Sequence, residues 1–229
     1  MMKEKEVKEK KEQVWKLSPS SLNLMQDCPR CFWLKKHDIW ERPEGIFPSL
    51  PRGMDRILKI HFDKFAVRNM MPPELRENKE CQGLKLFADM GMLKEWRNEK
   101  SGILWQDSKG NVFHGAPDNI LVKGKKLVVL DYKTRGYPTK EDTAKSYQNQ
   151  LDSYTLLLRK NGYETEDYAF LLFYVPREVL ENGEVIFDTE LIKMKINPEN
   201  AEKMFSKAIA LLNGPCPREA CDWCKLIKI

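Results

Sequence analysis

Residues 127–136 read LVVLDYKTRG, four apolar positions followed by an acid and a lysine two places apart. In a strand, side chains alternate, so Leu127, Val129, Asp131 and Lys133 share one face while Val128, Leu130 and Tyr132 share the other. Two opposite charges therefore continue an apolar face. Taken alone, D-x-K is short enough to be an exposed ion pair of little energetic worth at a strand end.

The preceding residues change its weight. The stretch 112–134, VFHGAPDNILVKGKKLVVLDYKT, holds two β-rich runs separated by Lys123, Gly124, Lys125 and Lys126, the composition of a hairpin turn. Asp118 falls in the first strand of that pair and Asp131 in the second. Downstream, EDTAKSYQNQLDSYTLLLRKNG (141–162) places Ala144, Tyr147, Leu151, Tyr154 and Leu158 at helical spacing, with Gly162 set to end the helix. Gln150 and Tyr154 then lie one turn apart. Strands are expected over 167–175 and 184–195, and a helix over 198–212.

Upstream, RGMDRILKIHFDKFAV (52–67) reads as a helix in which Ile57, Leu58 and Phe65 surround an inward His61. Residues 70–80 read as a loop and a second helix is expected around 84–96. In SPSSLNLMQDCPRCFWL (18–34), Ser18 or Ser20 can cap a helix opened by Pro19, and Pro29 stops it beside Cys28 and Cys31. This order predicts an α/β chain with a mixed central sheet flanked by helices.

With 229 residues and 41% hydrophobic composition, one main core is expected. Residues 1–16, rich in Lys and Glu, read as a charged tail or solvated helix, and 17–229 as a single domain. Its core spans about 52–175, and its cysteine-bearing ends span about 17–40 and 213–229. A formal charge of +5 permits a polyanionic partner without marking a dedicated nucleic-acid binder. No stretch has the apolar length of a membrane span, and the opening residues lack a signal peptide's apolar run, so a cytoplasmic location is expected. Six cysteines are too few for a disulfide scaffold in a chain this long, and clustered thiols in a reducing compartment bind metal or an iron–sulfur cluster.

Carboxylates from two neighbouring strands, converging at a sheet edge, bind a hard divalent cation through oxygen. A lysine beside them can orient an attacking water or stabilise charge on a phosphate, and His61 offers a nitrogen ligand from the helix. Phosphodiester hydrolysis needs this set of groups.

In order along the chain, SPSSLNLMQDCPRCFWL, RGMDRILKIHFDKF, HGAPD, DYK and QNQLDSY resemble the motifs of the PD-(D/E)XK nuclease superfamily. The likeness is to its RecB-like branch, which includes CRISPR adaptation nucleases and the nuclease domains of recombination helicases. The resemblance implies a restriction-endonuclease-like fold, with His61, Asp118, Asp131 and the Tyr132 backbone carbonyl holding Mg2+ or Mn2+. It makes Lys133 the catalytic lysine and puts Gln150 and Tyr154 beside the site, positioning DNA or the lysine.

The same resemblance implies a four-iron, four-sulfur cluster held by Cys28, Cys216, Cys221 and Cys224, which would join the two ends of the chain. The sequence departs from the usual spacing, since its last three cysteines run C-x4-C-x2-C and Cys31 is additional. The pairs Cys28/Cys31 and Cys221/Cys224 equally suit tetrahedral Zn2+, leaving Cys216 outside, and buried cysteines that bind nothing are the third alternative. Cys81 lies apart from both groups.

The implied activity is metal-dependent hydrolysis of DNA, by an exonuclease or an enzyme trimming single-stranded ends in repair, recombination or CRISPR adaptation. A helicase or CRISPR adaptation proteins are the implied partners. The alternatives are a non-catalytic nucleic-acid binding or assembly module and a structure-selective endonuclease of the same superfamily. Lys35, Lys36, Arg52, Arg56, Arg135 and Lys140 are candidate phosphate contacts. Trp33, Trp40 and Tyr137 are candidates to stack on unpaired bases, or core residues in the case of the tryptophans.

Overall fold

The computed structural model describes residues 13–43, 45 and 49–227. Most of the expected 1–16 tail lies outside them. Trp15, within the expected tail, is buried in the main core together with Leu17.

The chain runs β1 (Lys16–Leu17), α1 (Pro19–Asp27), α2 (Pro29–Lys36), α3 (Ser49–Val67), α4 (Pro73–Arg76), β2 (Lys85–Leu86), α5 (Met90–Trp96), β3 (Ile103–Gln106), β4 (Val112–Gly115) and β5 (Asn119–Lys123). It continues through β6 (Lys126–Thr134), α6 (Gln148–Lys160), β7 (Tyr168–Val179), β8 (Val185–Lys195) and α7 (Pro198–Leu212). A five-stranded mixed sheet has the order β2-β5-β6-β7-β8, with only β6 and β7 parallel. A smaller sheet has the order β1-β4-β3.

The alternation read in LVVLDYKTRG holds. Leu127 and Val129 enter the core formed with Leu151, Leu157 and Phe205 of α6 and α7, whereas Val128, Leu130 and Tyr132 pack with Leu58, Phe62 and Ala66 of α3. At roughly 1.5–3 kcal/mol for each large apolar side chain fully buried, these two faces outweigh any surface ion pair by an order of magnitude in sum and fix the strand's register. Asp131 and Lys133 consequently face α6, because they continue the Leu127 face.

Four expectations need correction. The stretch 112–134 makes three strands, not two: β4 leaves for the smaller sheet and Asp118 lies in the connection just before β5. The segment 84–96 splits into β2 and α5, with Asp89 capping the helix by accepting from the Met92 amide at 2.9 Å. The segment 70–80 contains α4 and the start of a 3-10 turn over Lys79–Cys81. Pro29 starts α2 as well as following α1, since proline is favoured at a first helical position whose N–H needs no partner. Cys28 caps that helix, its Sγ accepting from the Cys31 amide at 3.4 Å. The C-P-x-C sequence thereby places two thiols at one helix end.

Candidate active site

A cleft of about 560 Å3 opens between the N-terminal end of α1, the first half of α3 and the ends of β4 and β6, and Asp118, Asp131, Tyr132, Lys133, Gln150 and Tyr154 all line it. Asp131 is 1% exposed at its floor. Its carboxylate touches the Lys133 ammonium. Lys133 donates to Gln150 Oε1 at 3.1 Å and lies over the Tyr147 ring, 4.6 Å from its centre. Gln150 in turn donates to Asp131 Oδ1 at 3.3 Å and to the Tyr154 hydroxyl at 2.8 Å. The i, i+4 spacing of Gln150 and Tyr154 on α6 thus sets one amide across both charged groups of β6.

Asp118 Oδ2 accepts the Tyr132 backbone N–H at 2.9 Å. Asp131 and Lys133 bond sideways to β7, so Tyr132, between them, turns its N–H and carbonyl to the opposite edge, toward Asp118. Arg97, following α5, fixes the Asp118 connection by donating Nε to the Asp118 carbonyl at 2.6 Å and a terminal nitrogen to Asp63 of α3 at 2.7 Å.

Burial in the floor pushes the Asp131 carboxyl up to about 7, and neighbouring Asp118 adds to the shift while Lys133 opposes it. Burial works against the charged form of Lys133, yet Asp131 and Asp118 outweigh it and raise its pKa, so Lys133 is an ammonium. Burial together with Lys16 and Lys36 lowers the pKa of His114 at the rim, leaving a neutral imidazole there.

His61 is not in the cleft. Its Nε2 lies 3.0 Å from Glu74 Oε1, and its ring packs edge-on against Phe62 and Phe65. The groups that α3 presents to the carboxylates are Asp55 and Lys59, whose ammonium is 2.9 Å from Asp55 Oδ2 and 3.0 Å from Asp118 Oδ1. At about 100° per residue, His61 stands roughly 200° around the helix from Lys59 and so faces away, while Asp55 and Lys59 lie within about 40° of one another. Asp55, Lys59 and Arg97 were not singled out from the sequence. An i, i+4 acid–lysine pair on the helix was the available signal for the first two, and Arg97 carried none.

Of the candidate phosphate contacts, Arg52 lines the cleft. Lys35 pairs with Glu41, Lys36 donates to the Lys16 carbonyl, and Lys140 borders a separate surface groove beside β8. Trp33 stacks on His37 and Trp40 packs beside the cysteines, whereas Tyr137 is 80% exposed.

The two ends of the chain meet through Cys28, Cys31, Cys221 and Cys224, whose sulfurs all lie within 4.8 Å of one another. The sulfurs stand 3.8 Å apart for Cys28 and Cys224, 3.4 Å for Cys31 and Cys221 and 3.8 Å for Cys221 and Cys224. Cys216 is outside this quartet, accepting from Arg30 at 3.7 Å, so the expected set with Cys216 in place of Cys31 is not the one assembled. Burial opposes ionisation of Cys221, but the amides of Cys224 and Trp223 and the thiols of Cys31 and Cys28 bring it down to about 6. Arg42 adds positive charge, its guanidinium 3.9 Å from the Cys221 sulfur. Cys81 is buried elsewhere, in the core under α3.

Among the described residues no helix is long and apolar enough to cross a membrane. The solved structure of SSO0001 is similar at 10% identity, with 89% of this chain and 80% of that chain covered and a TM-score of 0.42. No curated protein sequence matched. A scan against protein families matched residues 16–229, nearly all of the described chain, to the family described as PD-(D/E)XK nuclease superfamily. With Asp118, Asp131 and Lys133 assembled in one cleft and the match running from β1 past the last cysteine, the chain belongs to the PD-(D/E)XK nuclease superfamily.

Proposed function

We propose that the chain hydrolyses phosphodiester bonds of DNA with Mg2+ or Mn2+, acting on single strands or free ends. The observation that carries the reading is the convergence of Asp118, Asp131 and Lys133 on one cleft, with Gln150 tying Asp131 to Lys133. The oxygen set fits a hard cation: the Asp118 and Asp131 carboxylates and the Tyr132 carbonyl would hold it, all three being oxygen donors on the lining of one cleft. A bound ion supplies Lewis acidity that lowers the pKa of water and offsets charge on the phosphoryl oxygens. Lys133, kept protonated by its two carboxylate neighbours, presents positive charge to the reacting phosphate. Gln150 holds that ammonium in place, and Tyr154 holds Gln150. The depth of Asp131 favours a flexible single strand, whose backbone reaches the floor of the cleft more readily than that of a stiff duplex. The order of motifs along the chain is what supports the RecB-like branch.

The quartet Cys28, Cys31, Cys221 and Cys224 supports Zn2+ over an iron–sulfur cluster. Four sulfurs about 2.3 Å from one ion lie about 3.8 Å apart along the tetrahedron edges. The separations of 3.4–3.8 Å match that edge, whereas a four-iron cluster sets its cysteines further apart. The ion would clasp the start of α2 to the C-terminal segment.

The test is end-labelled single-stranded DNA incubated with the wild type and with Lys133→Ala, in Mg2+, Mn2+ or EDTA, with duplex DNA and RNA as competitors. Shortened products that need the metal and fall at least about 100-fold with Lys133→Ala are expected. Equal cleavage by Lys133→Ala, or intact DNA throughout, overturns the reading, and the second result points to a non-catalytic binding module.

A further inference from the structure

The mechanism above leaves Lys59 without a task, although its position is unusual for a lysine. It sits on α3 with its side chain 23% exposed, its ammonium within 3.0 Å of carboxylates from two different elements, Asp55 and Asp118. One ammonium thus lies between the Asp55 and Asp118 carboxylates and pairs with both, at 2.9 and 3.0 Å. A positive charge between them is therefore a condition of the arrangement.

In two-metal phosphoryl-transfer sites, a second divalent ion sits about 3.5–4 Å from the first, bridged to it through shared oxygen ligands. Asp118 has one oxygen toward the Tyr132 edge, where the Tyr132 N–H reaches it at 2.9 Å, and the other toward Lys59 at 3.0 Å. The place where a second ion would share Asp118 is thus filled by an ammonium that belongs to the chain.

We propose, on the nuclease reading above, that Lys59 serves as a tethered second cation, so that the cleft takes one divalent ion. An ammonium has three N–H donors. Two hold Asp55 and Asp118, and the third serves a phosphate oxygen of the strand in the cleft that Lys59 lines. Lys59 and Lys133 then flank the phosphate, one on the Asp118 side and one on the Asp131 side.

The experiment is Mn2+ binding to the full chain, with its cysteine site already loaded with Zn2+, by titration calorimetry and by the loss of the free-ion electron paramagnetic resonance signal. One Mn2+ per chain is expected for the wild type and two for Lys59→Met. The double variant Asp55→Asn with Lys59→Met returns to one, because the exposed second site loses a carboxylate. Melting curves confirm that each variant is folded. Cleavage by Lys59→Met falls about 100-fold and acquires a steeper dependence on Mn2+ concentration. Two ions in the wild type, or one in both the wild type and Lys59→Met, overturn the role of Lys59 while leaving the nuclease reading intact. No Mn2+ bound by any form overturns both.

Discussion

Gly115 ends β4 directly against Tyr154, and replacing it with alanine tests whether the polar network at the cleft depends on that contact. A Cβ added at Gly115 would stand 2.7 Å from Tyr154 Cε1, 2.8 Å from Cδ1 and 3.0 Å from Leu157 Cδ1. Atoms that close must move, and overpacking a core in this way costs about 1–3 kcal/mol. The alanine also stiffens the unfolded chain, which returns about 0.4–1 kcal/mol. The clash wins, with a net loss near 1–2 kcal/mol, which in a domain of this size lowers the melting temperature by about 2–8 °C. The more telling effect is on activity. The Tyr154 hydroxyl holds Gln150 at 2.8 Å, and Gln150 holds both Lys133 and Asp131. Displacing the ring by about 1 Å is expected to lower kcat about 100-fold while KM changes little, since no phosphate-contacting group has been removed.

The assay is a double-mutant cycle with Tyr154→Leu, read by thermal melts and by single-strand cleavage. Tyr154→Leu removes the ring atoms that Gly115→Ala would strike, so the two changes together should be less destabilising than the sum of each alone by more than about 0.5 kcal/mol. If Gly115→Ala melts and cleaves like the wild type, or if the two effects simply add, the glycine is not there to admit Tyr154 and the reasoning fails.

Two further outcomes follow from the same geometry. Purified protein should carry one Zn2+ per chain, Cys31→Ser should lose it together with several kcal/mol of stability, and Cys216→Ser should retain it, because Cys216 lies outside the quartet. An iron-derived visible absorption lost with Cys216→Ser would refute this. The raised carboxyl of Asp131, at about 7 against about 4 in the unfolded chain, makes the metal-free protein less stable as pH rises from 4 through 7, since the folded state is the one that holds the proton. That proton must leave when Mn2+ binds, so the apparent Mn2+ affinity should fall about tenfold per pH unit below 7 and level off above it. Calorimetry showing the same affinity at pH 5.5 and pH 7.5 would count against Asp131 as a ligand.

What the sequence discloses and what it hides divides along a physical line. Strand alternation is strictly local, so LVVLDYKTRG correctly sends Asp131 and Lys133 to one face, and the core clusters on either side of β6 agree residue by residue. The helix motif at Gln150 and Tyr154 is equally local, and the amide does span the charged pair. The sequence misleads where a choice between faces of one helix depends on how that helix docks. His61 and Lys59 are two residues apart on α3, and only the packing of Leu58, Phe62 and Ala66 onto β6 decides that Lys59 reaches Asp118 while His61 turns to Glu74. A histidine flanked by apolar neighbours offers the more familiar metal ligand, so residue type outweighed helix phase. The cysteines show the same limit over a longer range. Spacing offers Cys31 and Cys216 as equal candidates, yet the CPRC turn carries Cys31 into the quartet by the geometry of a helix start, and Arg30 occupies Cys216 instead. A helix phase set by its docked face, which the apolar period of α3 already contains, is therefore the step that would have exchanged His61 for Asp55 and Lys59 before any coordinates were known.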